Sequence, residues 1–534
     1  MRNCCVFRNE GKKKTRGGTV MDRRTFLKAG AVTATATALS VSSLAPFVEA
    51  EENTDVEFDE VFDIIVVGSG LAGTTSAITA AEQGNKVLVV DKMNILGGTS
   101  LISGLNFSCV GSDEQKARGI KDSPELMAQD MRKVSEDYGD PELALTVATM
   151  TTRFYHFLKD RGVVFKEFKQ LGGHSVARAV WAGGGAFVIR PLHDYAKKSL
   201  ADRLTMRKRC RVDNIVFDNG RAVGIQVREN YYFNFDAPEK DDEQNQTGKI
   251  KYVGARKGIV FASGGYCRDK KLLGAEADIL EETNSDANPG ARSGTLQMLL
   301  SHGAQAVNLS LFRLAYPIPT EDLMWGMLVN PEGKRFVNEF GNRNTIGMTI
   351  LKEKQKFDGK APLLIYDQTG ADNFHDKQRF QLSMDAKNGY QGTMYKFQSI
   401  KEVAKHFGYD PLVLQKAVAD YNAALDSGVD KEFSKDFSQM NGAALKKAPF
   451  YAMPLTPKCT YTPGGVRINK AAQMLNSTTG EIFTGLFAAG EATGGVHGAM
   501  RLTACSVPDC GAFGLISGDN VSAMIPVELQ VKKK

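Results

Sequence analysis

The chain has little that would serve metal or haem chemistry. Its eight cysteines include no C-x-x-C-H haem-attachment segment, and the six beyond residue 50 are scattered without the close pairing of a zinc site. We therefore expect no metal site and no covalent c-type haem. Cys505 and Cys510 lie five positions apart and are expected to be buried thiols, with an iron–sulfur ligand or a disulfide as the alternatives.

An excess of either charge is also missing beyond residue 50. Nine of the 67 Lys and Arg residues and three of the 61 Asp and Glu residues lie within residues 1–50, which leaves 58 of each sign in the remainder. Proteins that bind nucleic acid or an anionic membrane surface usually carry a basic stripe. We therefore expect neither partner. The 534 residues, 42% of them hydrophobic, are enough for two or more globular domains.

A long apolar run that could span a membrane is the third absence. The weakly apolar stretch at residues 29–48 is rich in Ala, Thr and Ser and contains Pro46, so it favours a cleavable signal over an anchor. It follows a twin-arginine pattern at residues 22–28. We predict that residues 1–50 are a twin-arginine signal region read by that translocon, with Met21 as a possible start. The processed protein is expected in the periplasm or at the cell-envelope exterior, without a stable membrane span.

A complete dinucleotide-binding unit begins at residue 61. A strand-like apolar run at residues 61–67 leads into Gly-Ser-Gly-Leu-Ala-Gly at 68–73, an Ala-rich helical stretch and a second strand-like run at 86–90, which is the full pattern rather than a lone glycine motif. The glycines allow a pyrophosphate to approach a helix N-terminus, and the acid at the end of the second strand suits the ribose hydroxyls. The predicted dinucleotide contacts are Gly68, Gly70, Leu71, Ala72, Gly73, Asp91 and Lys92.

Three further segments favour FAD over NAD. A Gly- and hydroxyl-rich loop at residues 96–104 lies where flavoproteins run the chain along the flavin ring. The strand-like runs at 257–262 and 485–489 end in a glycine pair and in Gly-Glu, which resemble the other nucleotide-contacting segments of this flavoprotein superfamily. A last helix, predicted to begin at Pro508 and Asp509, would stabilise the anionic reduced flavin. The predicted FAD contacts are Gly98, Thr99, Ser100, Ser103, Gly104, Gly264, Glu491, Ser506 and Val507.

Two segments give a more specific resemblance. Gly-Gly-Val-His-Gly-Ala-Met-Arg-Leu at residues 494–502, and Glu-Gly-Lys-Arg-Phe-Val-Asn-Glu at 332–339 followed by Arg343, resemble the fumarate reductase and succinate dehydrogenase flavoproteins, in the soluble form without a haem domain. The resemblance implies an α/β fold in which a Rossmann-like FAD-binding domain of the glutathione reductase type is interrupted by an α+β capping domain. The implied bounds are 56–311 and 460–524 for the FAD-binding domain and 312–459 for the cap.

The same resemblance implies roles for three side chains. Arg501 would hold a carboxylate or carbonyl oxygen of the substrate and favour an enolate-like transition state. Arg343 matches the position that acts as proton donor in the family. Because an arginine normally keeps its proton, it needs a carboxylate that returns the proton at once, and Glu321 is the candidate for that relay.

Departures from the family pattern affect the expected substrate. Tyr461 and Tyr316 stand where the family has its substrate-binding histidines, so we expect a substrate other than fumarate, whose two carboxylates need strong donors. Trp325 is expected either to pack on an apolar substrate or to belong to the core. His497 is expected either to face the flavin or to be structural. Residues 239–247 are predicted to be a polar surface loop.

The sequence therefore predicts an extracytoplasmic FAD-dependent reductase of an activated C=C bond, in an enoate or an enone. Because NAD(P)H is scarce outside the cytoplasm and no second nucleotide-binding pattern is present, we expect electrons from a separate c-type cytochrome or quinol-linked protein. Two alternatives stay open. One is an enzyme like the 3-ketosteroid dehydrogenases, which use tyrosines, and the other is a non-catalytic flavin electron carrier.

Overall fold

The computed structural model describes residues 56–385 and 393–533. The predicted signal region, residues 1–50, and the possible start at Met21 lie outside the described residues. The described residues all belong to one compact unit. Within them no helix combines the length and the apolar character needed to cross a membrane.

A mainly parallel sheet carries the dinucleotide-binding unit. Its parallel strands are covered on both faces, since Ile64, Ile65 and Val66 are fully buried, as expected for a sheet with helices on both sides. This arrangement confirms the predicted α/β class. In spatial order the parallel strands are Leu204–Arg207, Val87–Val90, Glu60–Val67, Lys249–Phe261 and Ile482–Ala488. Antiparallel pairing adds Cys210–Asp218, Arg221–Glu229 and Gln473–Leu475.

The helix Leu71–Glu82 packs on the last long helix, Ser506–Ser522. A β-carbon on Gly514 would lie 2.8 Å from the Ala72 carbonyl oxygen, so the two helices need a glycine at this crossing. The last helix begins two residues earlier than predicted. Pro508 fits within the first turn, because the N–H that it lacks has no intrahelical acceptor there.

The predicted polar surface loop at residues 239–247 is mostly at the surface, but it is not a loop throughout. The segment forms the short helices Pro238–Lys240 and Asp241–Gln244, and Asp241 is fully buried. Its carboxylate accepts hydrogen bonds from the Tyr231 hydroxyl and from the Asn234 N–H. A buried carboxylate requires such donors, and pattern reading at a polar stretch did not reveal them.

Residues 316–455 contribute a hydrophobic cluster of their own. It lies around a four-stranded antiparallel sheet, flanked by the helices Arg343–Lys356 and Pro411–Ser427. We propose that this part is the capping domain, with the bounds 312–459. A two-stranded ladder at these bounds joins it to the FAD-binding domain. The four strands are, in spatial order, Met327–Val329, Leu363–Tyr366, Phe450–Pro454 and Tyr395–Phe397, and the ladder strands are Arg313–Ala315 and Lys458–Tyr461.

A buried ionic network holds the segment that precedes Arg343. Glu339 accepts hydrogen bonds from Arg335 at 2.8 Å and from the Leu328 N–H at 3.0 Å, and the Lys435 ammonium lies 3.2 Å from it. Although burial opposes the charge, these cations and donors hold the pKa of Glu339 below its usual value. Arg335 and Glu339, which belong to the run at 332–339 that resembles the family, therefore serve the core of the proposed cap. Trp325 is also a core residue, buried with its indole N–H on Asp322 at 3.1 Å.

The remaining elements complete the fold. The other α-helices are Gly98–Ile102, Asp113–Ala117, Pro124–Ser135, Pro141–Asp160, Ala186–Ser199, Lys270–Glu276, Gly294–Ser301, Gln368–Asp372, Lys377–Met384 and Ile400–Phe407. The other strands are Phe107–Ser108, Glu167–Lys169, Ala179–Trp181, Ala306–Val307, Gly465–Arg467 and Thr493–Gly494. The other 3-10 helices are Asp278–Leu280, Thr320–Trp325, Phe437–Gln439 and Gly490–Ala492.

Candidate active site

A cleft of about 900 Å³ opens at the carboxyl ends of the strands Glu60–Val67 and Val87–Val90. We call it the cofactor cleft. Ligands of open α/β sheets bind at this end of the strands. The sequence-predicted residues that line it are Gly68, Gly70, Leu71, Ala72, Asp91, Lys92, Gly98, Thr99, Ser100, Gly264 and Glu491.

The glycines of the first turn have different tasks. Gly68 has a φ of +103°, and a β-carbon there would lie 2.3 Å from the Ala262 carbonyl oxygen. A β-carbon on Gly73 would lie 2.0 Å from the Gly68 carbonyl oxygen. Gly73 therefore lets the helix approach the turn, and it is not on the wall of the cleft. Gly264 has a φ of +81° with open space on its side-chain side.

Asp91 holds the glycine turn in place. Its carboxylate accepts hydrogen bonds from the Ser69 N–H at 3.0 Å, the Ser69 hydroxyl at 2.5 Å and the Met93 N–H at 2.8 Å. The predicted contact of Asp91 with a ribose stays a prediction. Lys92 beside it is paired with Asp242 at 3.1 Å.

These features fit FAD. The helix that begins at Leu71 presents its N-terminus to the cleft, and its first-turn N–H groups have no intrahelical acceptor. Such an end suits a diphosphate through free donors and the helix dipole. Ser100 closes the turn from the other side, since its hydroxyl accepts the Leu71 N–H at 3.1 Å.

Two further clefts continue from the cofactor cleft toward the cap. The inner cleft, of about 1200 Å³, borders the cofactor cleft at Glu491, and the outer cleft, of about 1060 Å³, is lined partly by the cap. The inner cleft contains the predicted residues Ser103, Gly104, Tyr461, Glu491, Arg501, Ser506 and Val507. The outer cleft contains the predicted residues Tyr316, Glu321 and Arg343. The two share Arg313, Thr460 and Thr503.

Arg343 is the first residue of the helix Arg343–Lys356, whose N-cap is Asn342. Its guanidinium lies 3.7 Å from the Glu321 carboxylate. Burial and the nearby positive charges of Arg501 and Arg379 lower its pKa to about 10. The surroundings of Arg343 therefore disfavour its charged form. A lowered pKa makes it easier for the guanidinium to release a proton, as a proton donor must.

The Tyr316 side chain is buried, and its hydroxyl donates to the Arg343 backbone carbonyl at 2.5 Å. The family resemblance places Tyr316 at a substrate-binding position. In the structure its hydroxyl instead forms a hydrogen bond with Arg343, the residue at which the helix begins. Burial raises the pKa of Tyr316 far above its ordinary value. The phenol therefore stays neutral and takes part in hydrogen bonds without ionising.

Arg501 and Tyr461 lie together in the inner cleft. The Arg501 guanidinium is 4.9 Å from the centre of the Tyr461 ring, and one Nη donates to the Leu502 carbonyl at 3.0 Å. Among the described residues no carboxylate lies within ion-pair distance of Arg501. His497 packs against the edge of the Tyr461 ring at 5.6 Å and hydrogen-bonds Asp509 at 3.1 Å, so its imidazole is tied to the protein.

Glu491 borders both the cofactor cleft and the inner cleft. Burial raises its pKa to about 7, opposed by hydrogen bonds from Thr462. The Cys267 thiol donates to the same carboxylate at 3.7 Å. Cys505 is buried and Cys510 partly buried, and burial raises the pKa of both thiols. Within residues 56–385 and 393–533 no cluster of His, Cys, Asp or Glu could hold a metal ion.

Sequence reasoning missed Arg313 and Arg379. Arg379 donates to the carbonyls of Tyr316 and Pro317, each at 2.7 Å, and Arg313 lies at the junction of the two clefts. Neither belongs to a recognisable motif. The one available signal is that Arg313 lies three residues before Tyr316, which stands where the family has a substrate-binding histidine.

Comparison with known proteins agrees with this geometry. Residues 63–507 match the family described as FAD binding domain. The chain is 30% identical to the acrylate reductase flavoprotein subunit of Shewanella woodyi, over 93% of this chain and 97% of that protein. It is also 30% identical to the urocanate reductase of Eggerthella lenta, over 86% and 75% of the two chains.

A solved structure shows the same fold. The open conformation of a flavocytochrome c3 fumarate reductase superposes with a TM-score of 0.72 at 27% identity, covering 87% of this chain and 78% of that one. Residues 20–40 match the twin-arginine translocation signal sequence, so the predicted export route is confirmed. The chain belongs to the FAD-binding family of fumarate reductase-like flavoproteins, and it is an exported FAD-dependent oxidoreductase that acts on CH–CH groups.

Proposed function

We propose that the enzyme reduces the activated C=C bond of an α,β-unsaturated acid or ketone other than fumarate, and that Arg343 delivers the proton. The observation that supports this most directly is the state of Arg343. Its pKa is lowered to about 10, and it lies in a cleft that continues from the cofactor cleft. A surface arginine would keep its ordinary pKa and would have no such position.

Each of the three predicted side chains has a task in this scheme. When bound and reduced by the electron donor, the flavin would supply a hydride from N5 to one carbon of the double bond. Arg501 holds the carboxylate or carbonyl oxygen and stabilises the negative charge that develops on it. Arg343 gives a proton to the other carbon, and Glu321, 3.7 Å away, returns a proton to Arg343. Because Glu321 is half exposed, it can take protons from water.

The electron donor is proposed to be a separate c-type cytochrome or quinol-linked protein. Export by the twin-arginine pathway removes the enzyme from the cytoplasmic NAD(P)H pool. One relative is named as the flavoprotein subunit of an acrylate reductase, a name that implies a further subunit in that enzyme. Readily measured oxidation of NADH by the purified enzyme would contradict this part of the proposal.

An anaerobic assay with reduced methyl viologen tests the proposal. Acrylate, urocanate, trans-cinnamate and fumarate serve as acceptors, with a 3-ketosteroid as the comparison. We expect turnover of at least one of the first three at a rate above that for fumarate. No turnover of any enoate or enone refutes the proposed function, and turnover of the steroid alone favours the ketosteroid alternative.

The relay is tested by Glu321→Gln with Glu332→Gln as the matched control, because Glu332 is an exposed acid of the proposed cap whose carboxylate pairs with Lys334. We expect the first change to lower kcat about 10- to 100-fold and the second to leave it unchanged. Equal rates for the two variants would remove Glu321 from the mechanism.

A further inference from the structure

Arg313 lies where the inner and outer clefts meet. It belongs to the strand Arg313–Ala315, directly opposite Tyr461 on the partner strand Lys458–Tyr461. This places its backbone beside the residue that packs on Arg501. None of the roles described so far uses its guanidinium.

The Arg313 side chain is held by a hydrogen bond, but no carboxylate of the described residues pairs with its positive charge. One Nη donates to the Thr460 hydroxyl at 3.3 Å, and that hydroxyl donates back to the Arg313 carbonyl at 3.2 Å. The Nε is buried, and no acceptor among the described residues lies within hydrogen-bond distance of it. The guanidinium is therefore held in position by one hydrogen bond, while most of its N–H groups have no acceptor in the part of the chain that the structure describes.

The acids of the two clefts do not neutralise it. Asp286 is paired with Lys458 at 2.6 Å, Glu321 lies next to Arg343, and Glu491 accepts from Thr462 and Cys267. None of these three carboxylates forms an ion pair with Arg313.

An arginine in this position is costly without an anion. A partly buried guanidinium loses hydration, and the loss is offset only by hydrogen bonds and an opposite charge. A planar fork with free donors is the group that binds a carboxylate best, because two parallel N–H groups match its two oxygens. A neutral ketone has one acceptor oxygen and no charge, so it would leave this cation unpaired.

We propose that Arg313 is a second carboxylate-binding arginine beside Arg501, and that it restricts the enzyme to anionic enoates rather than neutral enones. This inference rests on the proposed function, and it narrows the substrate class. Thr460 is the positioning residue that keeps the guanidinium at the junction of the clefts.

The test compares an acid with its neutral analogue. The enoate of the viologen panel that is reduced fastest is assayed beside its methyl ketone, with the holoenzyme and with the variants Arg313→Lys and Arg313→Gln. We expect the wild type to prefer the acid, and Arg313→Gln to raise the KM for the acid about 10- to 100-fold while changing that for the ketone less than about threefold. The lysine variant should lie between, because it keeps the charge and loses the fork.

A matched control is Arg467→Gln, which removes one positive charge from an exposed side chain outside both clefts and should leave both KM values unchanged. The Kd of the same acid, measured from the change that it causes in the flavin absorption spectrum, should follow KM. If Arg313→Gln turns over the acid with an unchanged KM, or weakens acid and ketone equally, the inference is wrong while the proposed function stands. If the wild type reduces no member of the panel, the proposed function itself fails.

Discussion

The hydroxyl of Tyr316 donates a 2.5 Å hydrogen bond to the backbone carbonyl of Arg343. Arg343 is the first residue of its helix, so this bond fixes the point at which the helix begins and the direction in which the guanidinium leaves it. A position that the family resemblance assigned to substrate binding here orients the proposed proton donor.

Replacing Tyr316 by Phe should therefore slow proton delivery without weakening substrate binding. The Arg343 carbonyl loses the hydrogen bond from this hydroxyl, at a net cost of about 0.5–1.5 kcal/mol, and the helix start can shift. We expect kcat to fall about tenfold and KM to change less than twofold in the viologen assay.

Tyr366→Phe is the matched control for that change. Tyr366 is also a buried cap tyrosine, and its hydroxyl donates to the Asp322 carbonyl at 3.0 Å. It should lose similar stability and keep its kcat. If the two variants lose activity equally, the effect of Tyr316 is on cap stability and not on Arg343.

The lowered pKa of Arg343 predicts a limb in the pH profile. A proton donor must be protonated in the free enzyme, so kcat/KM should fall as the pH rises from about 9 through about 10. Arg343→Gln should lower kcat about 100- to 10,000-fold while the flavin is still reduced by viologen. Circular dichroism at each pH shows whether the fall in kcat/KM comes from loss of the proton or from unfolding. A profile that stays level to pH 11 in a folded enzyme would contradict the role of Arg343.

Local signals in the sequence predicted the fold well. The sequence predicts strands at 61–67 and 86–90 and, between them, a helical stretch that follows the glycine turn at 68–73 and ends at Gln83. The structure has these elements at Glu60–Val67, Val87–Val90 and Leu71–Glu82, so the helix already begins within the turn. These elements depend on glycine turns and on apolar runs within about 30 residues. Such patterns are visible in one segment of chain.

The composition of the clefts could not be predicted in the same way. Arg313 and its partner Thr460 are 147 residues apart in sequence, and they meet only because two strands at the base of the proposed cap pair with each other. The orientation of the Tyr316 hydroxyl is likewise decided by where the helix of Arg343 begins. Both facts depend on the packing of distant segments, for which a single sequence carries no periodic signal.

The buried lysine of the cap should make stability depend on pH. Burial lowers the pKa of Lys435 from 10.5 to about 8. Between these values the unfolded chain binds more protons than the folded chain, so the contribution of this site to stability rises with pH. Relative to Lys435→Met, the free energy of unfolding of the wild type should rise by roughly 3 kcal/mol from pH 8 to 10.5.

Denaturant unfolding of the holoenzyme across this pH range measures the difference. Lys446→Met is the control, because Lys446 is a half-exposed cap lysine paired with Asp426, and its difference from the wild type should stay level. A level difference for Lys435→Met as well would show that the buried ammonium is not the titrating group.

Two glycines with similar positive φ values separate cofactor binding from backbone strain. Gly264 and Gly84 have φ values of +81° and +87°, and neither has an atom within 4 Å of an added β-carbon. An alanine at either position adopts a left-handed conformation at a cost of about 1–2 kcal/mol. Only Gly264 lines the cofactor cleft, so only Gly264→Ala places a methyl group where the cofactor would lie.

We expect both variants to lose similar thermal stability. When the apoprotein is titrated with FAD, only Gly264→Ala should bind FAD at least tenfold less tightly than the wild type. Equal FAD affinity in the two variants would mean that the cofactor does not approach the backbone at Gly264.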